Sequence, residues 1–176
     1  MFSSDRDDCI YDPADDATGR QLLNDWLDGA PNVCWNTHCE LSKLLARRGH
    51  LVRERVEPII RELTALAPGE GGFSPWREHQ LSLSFLAKMA DGEALAVHLL
   101  GGVPEDFRDG LLLACYTLNT RPIYEAVKAS VRRWAAELWC GGTGEKWLIH
   151  RMVERWDRTF PGEDHADIRE LCGSTS

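Results

Sequence analysis

The sequence predicts an all-α protein: a single compact helical domain of about eight helices, with a long helical hairpin towards the C-terminal end. Apolar residues recur three and four positions apart in successive segments, the spacing that places them on one face of an α-helix. Capping residues, glycines and prolines stand at the boundaries of these segments. No segment of useful length alternates between apolar and polar residues, and no hairpin turn signal is flanked by β-branched residues.

Length and composition favour one globular domain. The chain has 176 residues, of which 43% are hydrophobic and 27% are charged, which is ordinary for a protein with one core. We expect residues 17–172 to form this domain, with a possible subdivision at 67–73, and residues 1–16 to be a flexible acidic tail. No apolar run approaches the roughly 20 residues of a membrane helix, and the acidic N-terminal residues do not resemble a secretory signal. These observations predict a cytoplasmic protein.

Four helices are predicted in the first half of the chain. Thr37 and Glu40 match a capping box at the start of the second helix. Pro58 lies inside the apolar pattern of the third and is expected to kink or split it. Ser74 and Pro75 are typical of the start of the fourth. The predicted helices cover about 16–28, 37–48, 51–66 and 74–90.

The second half contains the clearest helical pattern. The segment opened by Thr120 and Pro122 carries an apolar stripe that includes Val131 and Trp134. Its predicted partner begins at Thr143, and the two should form the hairpin. The predicted helices cover about 93–100, 104–118, 120–140 and 143–160, and a short one lies around Ile168 and Leu171.

The cysteines indicate reduced thiols. The six cysteines are scattered, no CxxC pair occurs, and a chain of this size does not need disulfides to complete its core. Cys34, His38 and Cys39 are the most metal-like cluster, but a second ligand pair at suitable spacing is missing. We expect neither a metal nor a cofactor, and keep a zinc site at Cys34, His38 and Cys39 as an alternative.

Residues 36–63 resemble a helix-turn-helix unit, whose second helix would lie in the major groove of DNA. The net charge of −8 opposes general affinity for nucleic acid, although residues 40–62 carry six basic and four acidic side chains. Pro58, the unusual turn at 48–50 and the acidic residues Glu54 and Glu57 also count against this hypothesis. Under it, the nucleic-acid-binding residues are Lys43, Arg47, Arg48, Arg53, Arg55 and Arg61.

A second basic surface is expected on the hairpin, where residues 121–160 carry eight basic and five acidic side chains. The basic residues lie opposite the apolar stripes, and two tryptophans flank the predicted turn. Tryptophan and arginine are enriched among the residues that dominate binding energy, although solvated faces also look like this. The residues expected to bind a partner are Lys128, Arg132, Trp139, Trp147, Arg151, Arg155 and Arg158.

No constellation of catalytic residues is apparent. The histidines do not form a metal-binding helix motif, and His150 and Glu154 are expected to be a surface pair one turn apart. We therefore expect a non-enzymatic binding protein that docks on a protein or protein–nucleic acid partner, as inhibitors, immunity proteins and antagonists of bacterial or phage origin do. The alternative is a DNA-binding regulator, and the third hypothesis is a zinc-binding protein or a Cys/His enzyme.

Overall fold

The computed structural model describes residues 14–28, 43–65, 83–102, 107–137 and 143–173, and within these ranges it contains helices and no strands. This confirms the predicted all-α class. Two 3-10 segments, Gly49–Val52 and Leu83–Lys88, accompany the α-helices. The α-helices of the described ranges are α1 (Asp16–Leu27), α2 (43–48), α3 (Arg53–Ala65), α4 (Gly92–Leu100), α5 (Arg108–Leu118), α6 (Arg121–Ala136), α7 (Thr143–Thr159) and α8 (Ala166–Cys172).

Local sequence signals account for several helix ends. The Asp15 carboxylate accepts hydrogen bonds from the backbone N–H and the hydroxyl of Thr18, both at 2.8 Å, and so caps α1. Pro122 occupies the first turn of α6, where its missing N–H costs nothing. Asn119 ends α5 with a φ of 46°, a left-handed conformation that asparagine adopts more readily than most residues.

Of the kink or split predicted at Pro58, the split is wrong, because α3 is continuous across this proline. The proline is exposed on the solvent side of the helix, where water can bind the carbonyl group that loses its N–H partner. A 3-10 turn at Gly49–Val52 joins α2 directly to α3. Gly49 is needed there, since a Cβ atom would lie 2.3 Å from the Phe85 ring. The predicted caps at Thr37 and Ser74 fall outside the described residues.

One apolar core joins the first described helix to the last. The 3-10 segment at 83–88 and α7 both pack on α5, α4 packs on α6, and α8 packs on α6 and α7. The largest fully buried side chains include three tryptophans from different helices, Trp26, Trp134 and Trp156. The described residues therefore form a single helical domain. Among them, no helix is both long and apolar enough to cross a membrane.

The two helices of the predicted hairpin meet through large side chains. The rings of Tyr124 on α6 and Trp156 on α7 are 4.9 Å apart and nearly perpendicular. The backbone of α6 packs on α4 and α8, whereas that of α7 packs on α5 and α8. The short helix α8 thus lies against both members of the hairpin.

The close approach of α4 to the preceding 3-10 segment yields a prediction. A Cβ atom at Gly92 would lie 1.8 Å from the Leu86 carbonyl oxygen, a backbone atom that cannot move aside cheaply. Gly92→Ala should therefore lower the free energy of unfolding by about 3 kcal/mol, as overpacking of a core does. Urea denaturation measures this change. The control is the exposed Ala94→Ser in the same helix, which should change stability by less than about 1 kcal/mol. Equal stability of the two variants would contradict the packing described.

Candidate functional site

A polar cluster, buried except for Glu163, joins α6 to the turn that precedes α8. Its centre is the hydroxyl of Tyr124, a residue with no exposed surface. The Lys128 ammonium donates a hydrogen bond to this hydroxyl at 2.8 Å, and the hydroxyl donates to Glu163 Oε2 at 3.3 Å. His165 Nδ1 lies 3.5 Å from the same oxygen. We call Tyr124, Lys128, Glu163 and His165 the C-terminal cluster.

The expectation that Lys128 belongs to the solvated basic surface is wrong. Its side chain is 8% exposed, and the ammonium reaches the Asp164 carbonyl oxygen at 3.5 Å as well as the Tyr124 hydroxyl. The charge also lies 4.8 Å from the centre of the Tyr124 ring, where the ring's negative face stabilises it. Lys128 therefore stabilises the packing of the C-terminal segment and is not available to a partner.

His165 is 1% exposed and packs between aromatic rings. Its ring centre is 5.5 Å from that of Tyr124 and 5.9 Å from that of Trp156. Burial is the main cause that lowers the pKa of His165, and the positive charge of Lys128 lowers it further. The imidazole is therefore held in its neutral form at pH 7.

Three ion pairs surround the cluster and hold the C-terminal segment to both long helices. Arg121 on α6 binds Glu163 at 2.8 Å, and this contact lowers the pKa of the Glu163 carboxyl. Arg132, also on α6, binds Asp167. Arg169 on α8 binds Asp157 on α7. Arg132 was expected to bind a partner, and the structure shows it in an internal ion pair, although about half of its side chain remains exposed.

The outer face of α7 presents an exposed tryptophan. Trp147 is 53% exposed, whereas Trp26, Trp134 and Trp156 are each about 1% exposed. The Arg151 guanidinium lies 6.0 Å from the centre of the Trp147 ring and forms an ion pair with Glu154 at 2.8 Å. Arg158 is exposed one further turn along, and no ion pair joins it to any residue that the structure describes. We call Trp147, Arg151, Glu154 and Arg158 the α7 face.

Another residue of the expected basic surface, Arg155, lies elsewhere. Arg155 points towards α5, where it donates a hydrogen bond to the Tyr116 carbonyl oxygen at 2.7 Å and lies over the Tyr116 ring. Trp139 falls outside the described residues. Lys128 and Arg132 face the C-terminal segment. Of the six predicted residues that it describes, the structure thus brings together Trp147, Arg151 and Arg158.

The prediction that His150 and Glu154 form a surface pair is also wrong. His150 Nε2 lies 3.1 Å from the Gly173 carbonyl oxygen, at the end of α8. Glu154 is engaged by Arg151 instead. The two side chains share a helix, but His150 lies on the side of α7 that α8 covers.

The arginines of the DNA-binding hypothesis are engaged with acidic side chains. Arg48 binds Asp16 at 2.8 Å and Arg55 binds Asp28 at 2.6 Å. The remaining pairs are Arg53 with Glu57 at 3.5 Å and Arg61 with Asp91 at 2.9 Å. Lys43 and Arg47 are half-buried on α2. These contacts neutralise most of the charge that the sequence placed on this surface.

An open groove of about 660 Å³ follows the solvent side of α3. Its two arginines are balanced by two glutamates, so the groove is close to electrically neutral when its histidine is uncharged. Such a lining gives no preference for phosphate groups. The lining residues are His50, Arg53, Glu54, Glu57, Pro58 and Arg61.

The structure offers no metal site in the ranges it describes, where no three His, Cys, Asp or Glu side chains are grouped to hold an ion. Cys34, His38 and Cys39 lie outside these ranges. Cys115 and Cys172 are buried free thiols, and burial raises the pKa of Cys172 to about 11. This agrees with the expectation of reduced thiols for these two of the six cysteines.

Sequence reasoning missed the C-terminal cluster. Its members come from α6 and from a turn about 40 residues later, and their spacing forms no motif. The one available signal was Lys128, which lies one turn from Tyr124 at the margin of the α6 apolar stripe.

Comparison of the chain with models of known families, with curated proteins and with solved structures gives no match.

The C-terminal cluster predicts an effect of the Tyr124 hydroxyl on stability. Tyr124→Phe keeps the ring contacts but removes the acceptor of the buried Lys128 ammonium, so the free energy of unfolding should fall by about 2 kcal/mol. Chemical denaturation at pH 7.5 measures this. Tyr116→Phe is the matched control, because the Tyr116 hydroxyl makes no hydrogen bond to the residues described; it should change stability by less than about 0.5 kcal/mol. A neutral Tyr124→Phe would contradict the role given to the cluster.

Proposed function

We propose that this protein acts by binding, and that it docks on an acidic surface of a protein partner through the α7 face. The observation that carries this proposal is the exposure of Trp147 in a protein whose other described tryptophans are buried. A large aromatic side chain that is half exposed gains hydrophobic free energy when a partner surface covers it. Exposed tryptophans beside arginines are typical of residues that dominate binding energy.

The side chain is positioned for such a contact. Arg151 links the Trp147 ring to Glu154, which limits the freedom of the tryptophan before a partner arrives. A side chain that is already ordered loses less conformational entropy on binding. Arg158 extends the same face by one turn and remains available for a carboxylate of the partner.

Charge supports an acidic partner surface. The α7 face carries two arginines and one glutamate, and is thus locally positive, whereas the whole chain has a net charge of −8. An acidic partner is repelled by most of the molecule and attracted by this face, which orients the encounter. Small acidic inhibitors and antagonists of macromolecular machinery work in this general way, which is an analogy of type and not a resemblance in sequence.

The competing hypotheses have less support. DNA binding through α2 and α3 requires free basic side chains, and four of the six candidates pair with carboxylates. An enzyme built on the C-terminal cluster would have to open first, because Lys128 and His165 are buried. The α7 face needs no rearrangement to be reached.

Site-specific photo-cross-linking tests the proposal. A benzophenone amino acid in place of Trp147, in the cells that produce the protein, should yield a defined protein adduct that mass spectrometry identifies. The same substitution at the exposed Glu62 on α3 is the control and should not yield it. Adding Arg151→Glu and Arg158→Glu should abolish the adduct at position 147 without lowering the melting temperature, since neither residue supports the core. Arg155 is left unchanged, because it binds the Tyr116 carbonyl.

Once the partner has been identified, Trp147→Ala should weaken its binding by about 2 kcal/mol or more, which raises the dissociation constant roughly 30-fold. Arg20→Glu together with Arg53→Glu changes the net charge as much as the α7 double variant does, but on α1 and α3. That control should bind normally. Identical adducts from positions 62 and 147, or an equal loss of partner binding in both double variants, would contradict docking at the α7 face. If the protein binds DNA and the α1/α3 double variant does not, the regulator hypothesis would be favoured.

A further inference from the structure

His165 is surrounded by charged groups from every element that packs against it. The hydroxyl of Tyr124 and the ammonium of Lys128 approach it from α6, and the Asp157 carboxylate lies 4.0 Å from Nε2 on the α7 side. Glu163 and Asp164 belong to the turn that precedes it, and Arg169 follows on α8. Its Nε2 atom is buried and has no hydrogen-bond partner among the residues that the structure describes.

A proton added to this imidazole would not be well compensated. The two nearest carboxylates are already engaged, Asp157 by Arg169 and Glu163 by Arg121. Lys128 and Arg169 add two positive charges close by. Asp157 and Glu163 favour the charged imidazole, but burial is the largest effect and the positive charges of Lys128 and Arg169 add to it, so a buried histidinium is disfavoured.

The segment that carries His165 is short and packs against α6 and α7. Besides the polar contacts of Tyr124 and Lys128, the turn at 161–165 and α8 are held by the three exposed ion pairs described above, which contribute little each. The buried apolar anchors of α8 are Ile168 and Cys172, while Leu171 is 39% exposed. Short segments with few apolar contacts open at a lower free energy than the whole domain unfolds.

We propose that residues 161–173 form a latch that mild acid releases from α6 and α7, with His165 as the sensing residue. Release would uncover the aromatic side chains of Tyr124 and Trp156 and the thiol of Cys172, which is 2% exposed in the closed form. The protein would thereby present a new apolar surface under acidic conditions only.

The direction of the effect follows from linkage. Burial and Lys128 lower the pKa of His165 in the closed form, whereas in the released segment it returns to its ordinary value of 6.5. The open form therefore binds the proton more readily, and opening is favoured as the pH falls below about 6.5. Between the ordinary and the lowered pKa of His165, the equilibrium constant for opening rises by up to about tenfold for each unit by which the pH falls. Above pH 7 the latch stays closed.

Thiol labelling of the intact protein tests this directly. We would treat it with a pyridyl disulfide that reacts in acid, at pH 8.0, 7.0, 6.0 and 5.0, and locate the labelled cysteines by peptide mass spectrometry. Cys172 reports release of the latch, and Cys115, buried on α5, reports unfolding of the domain. The labelling rate of Cys172 relative to Cys115 should rise between pH 7.0 and 5.0, by up to about tenfold for each unit by which the pH falls. Parallel labelling of both, or of neither, would overturn the proposal.

Substitutions assign the sensor. His165→Gln should abolish the acid-dependent rise at Cys172, whereas His150→Gln, which alters the other histidine contact with this segment, should keep it. If the His165→Gln variant unfolds, as labelling of Cys115 would show, Lys128→Gln provides a second test. Without the neighbouring ammonium the pKa of the buried imidazole lies nearer to its value in the released segment, so the acid-dependent rise of Cys172 labelling should become smaller. An unchanged profile in both His165→Gln and Lys128→Gln would exclude His165 as the sensor.

Discussion

The hydrogen bond between the Lys128 ammonium and the Tyr124 hydroxyl is the contact on which the C-terminal third of the protein depends. A charge at the edge of the core is tolerated only if it is paired, and the phenol, the Asp164 carbonyl and the face of the ring together satisfy it. The same phenol packs edge-on against Trp156. Two long helices and the turn before α8 therefore meet at a single side chain.

Local chemistry explains which parts of the fold could be predicted from the sequence. Asp15, Pro122 and Asn119 mark helix ends through interactions within a few residues, so their effects can be predicted from neighbouring residues alone. The α6 stripe around Val131 was equally clear, because burial of one face imposes the 3.6-residue period. The split expected at Pro58 does not occur, because the cost of a proline depends on whether water can reach the freed carbonyl, which is a tertiary property.

The candidate site was less predictable, because the partner of a long basic side chain is set by packing. Arg48 and Asp16 are separated by 32 residues, and Arg132 and Asp167 by 35. No local pattern identifies such pairs, so faces that looked solvated and basic proved to be largely neutralised. Trp147 and Arg158 remained accessible because they lie on the side of α7 opposite the core. Sequence spacing placed them on one face but could not show which other residues of that surface would be engaged.

The distance along the chain between Lys128 and its partners has a consequence for biosynthesis. The Asp164 carbonyl that receives the ammonium is 36 residues further on, and translation at about 5–20 residues per second supplies it roughly 2–7 s later. Helices form within microseconds, so α6 is complete long before that carbonyl exists. During this interval water must hydrate the Lys128 ammonium and the neighbouring Tyr124 phenol of the nascent chain. The native arrangement of this face of α6 is therefore a late event on the ribosome, controlled by the speed of translation rather than by the intrinsic rate of helix formation.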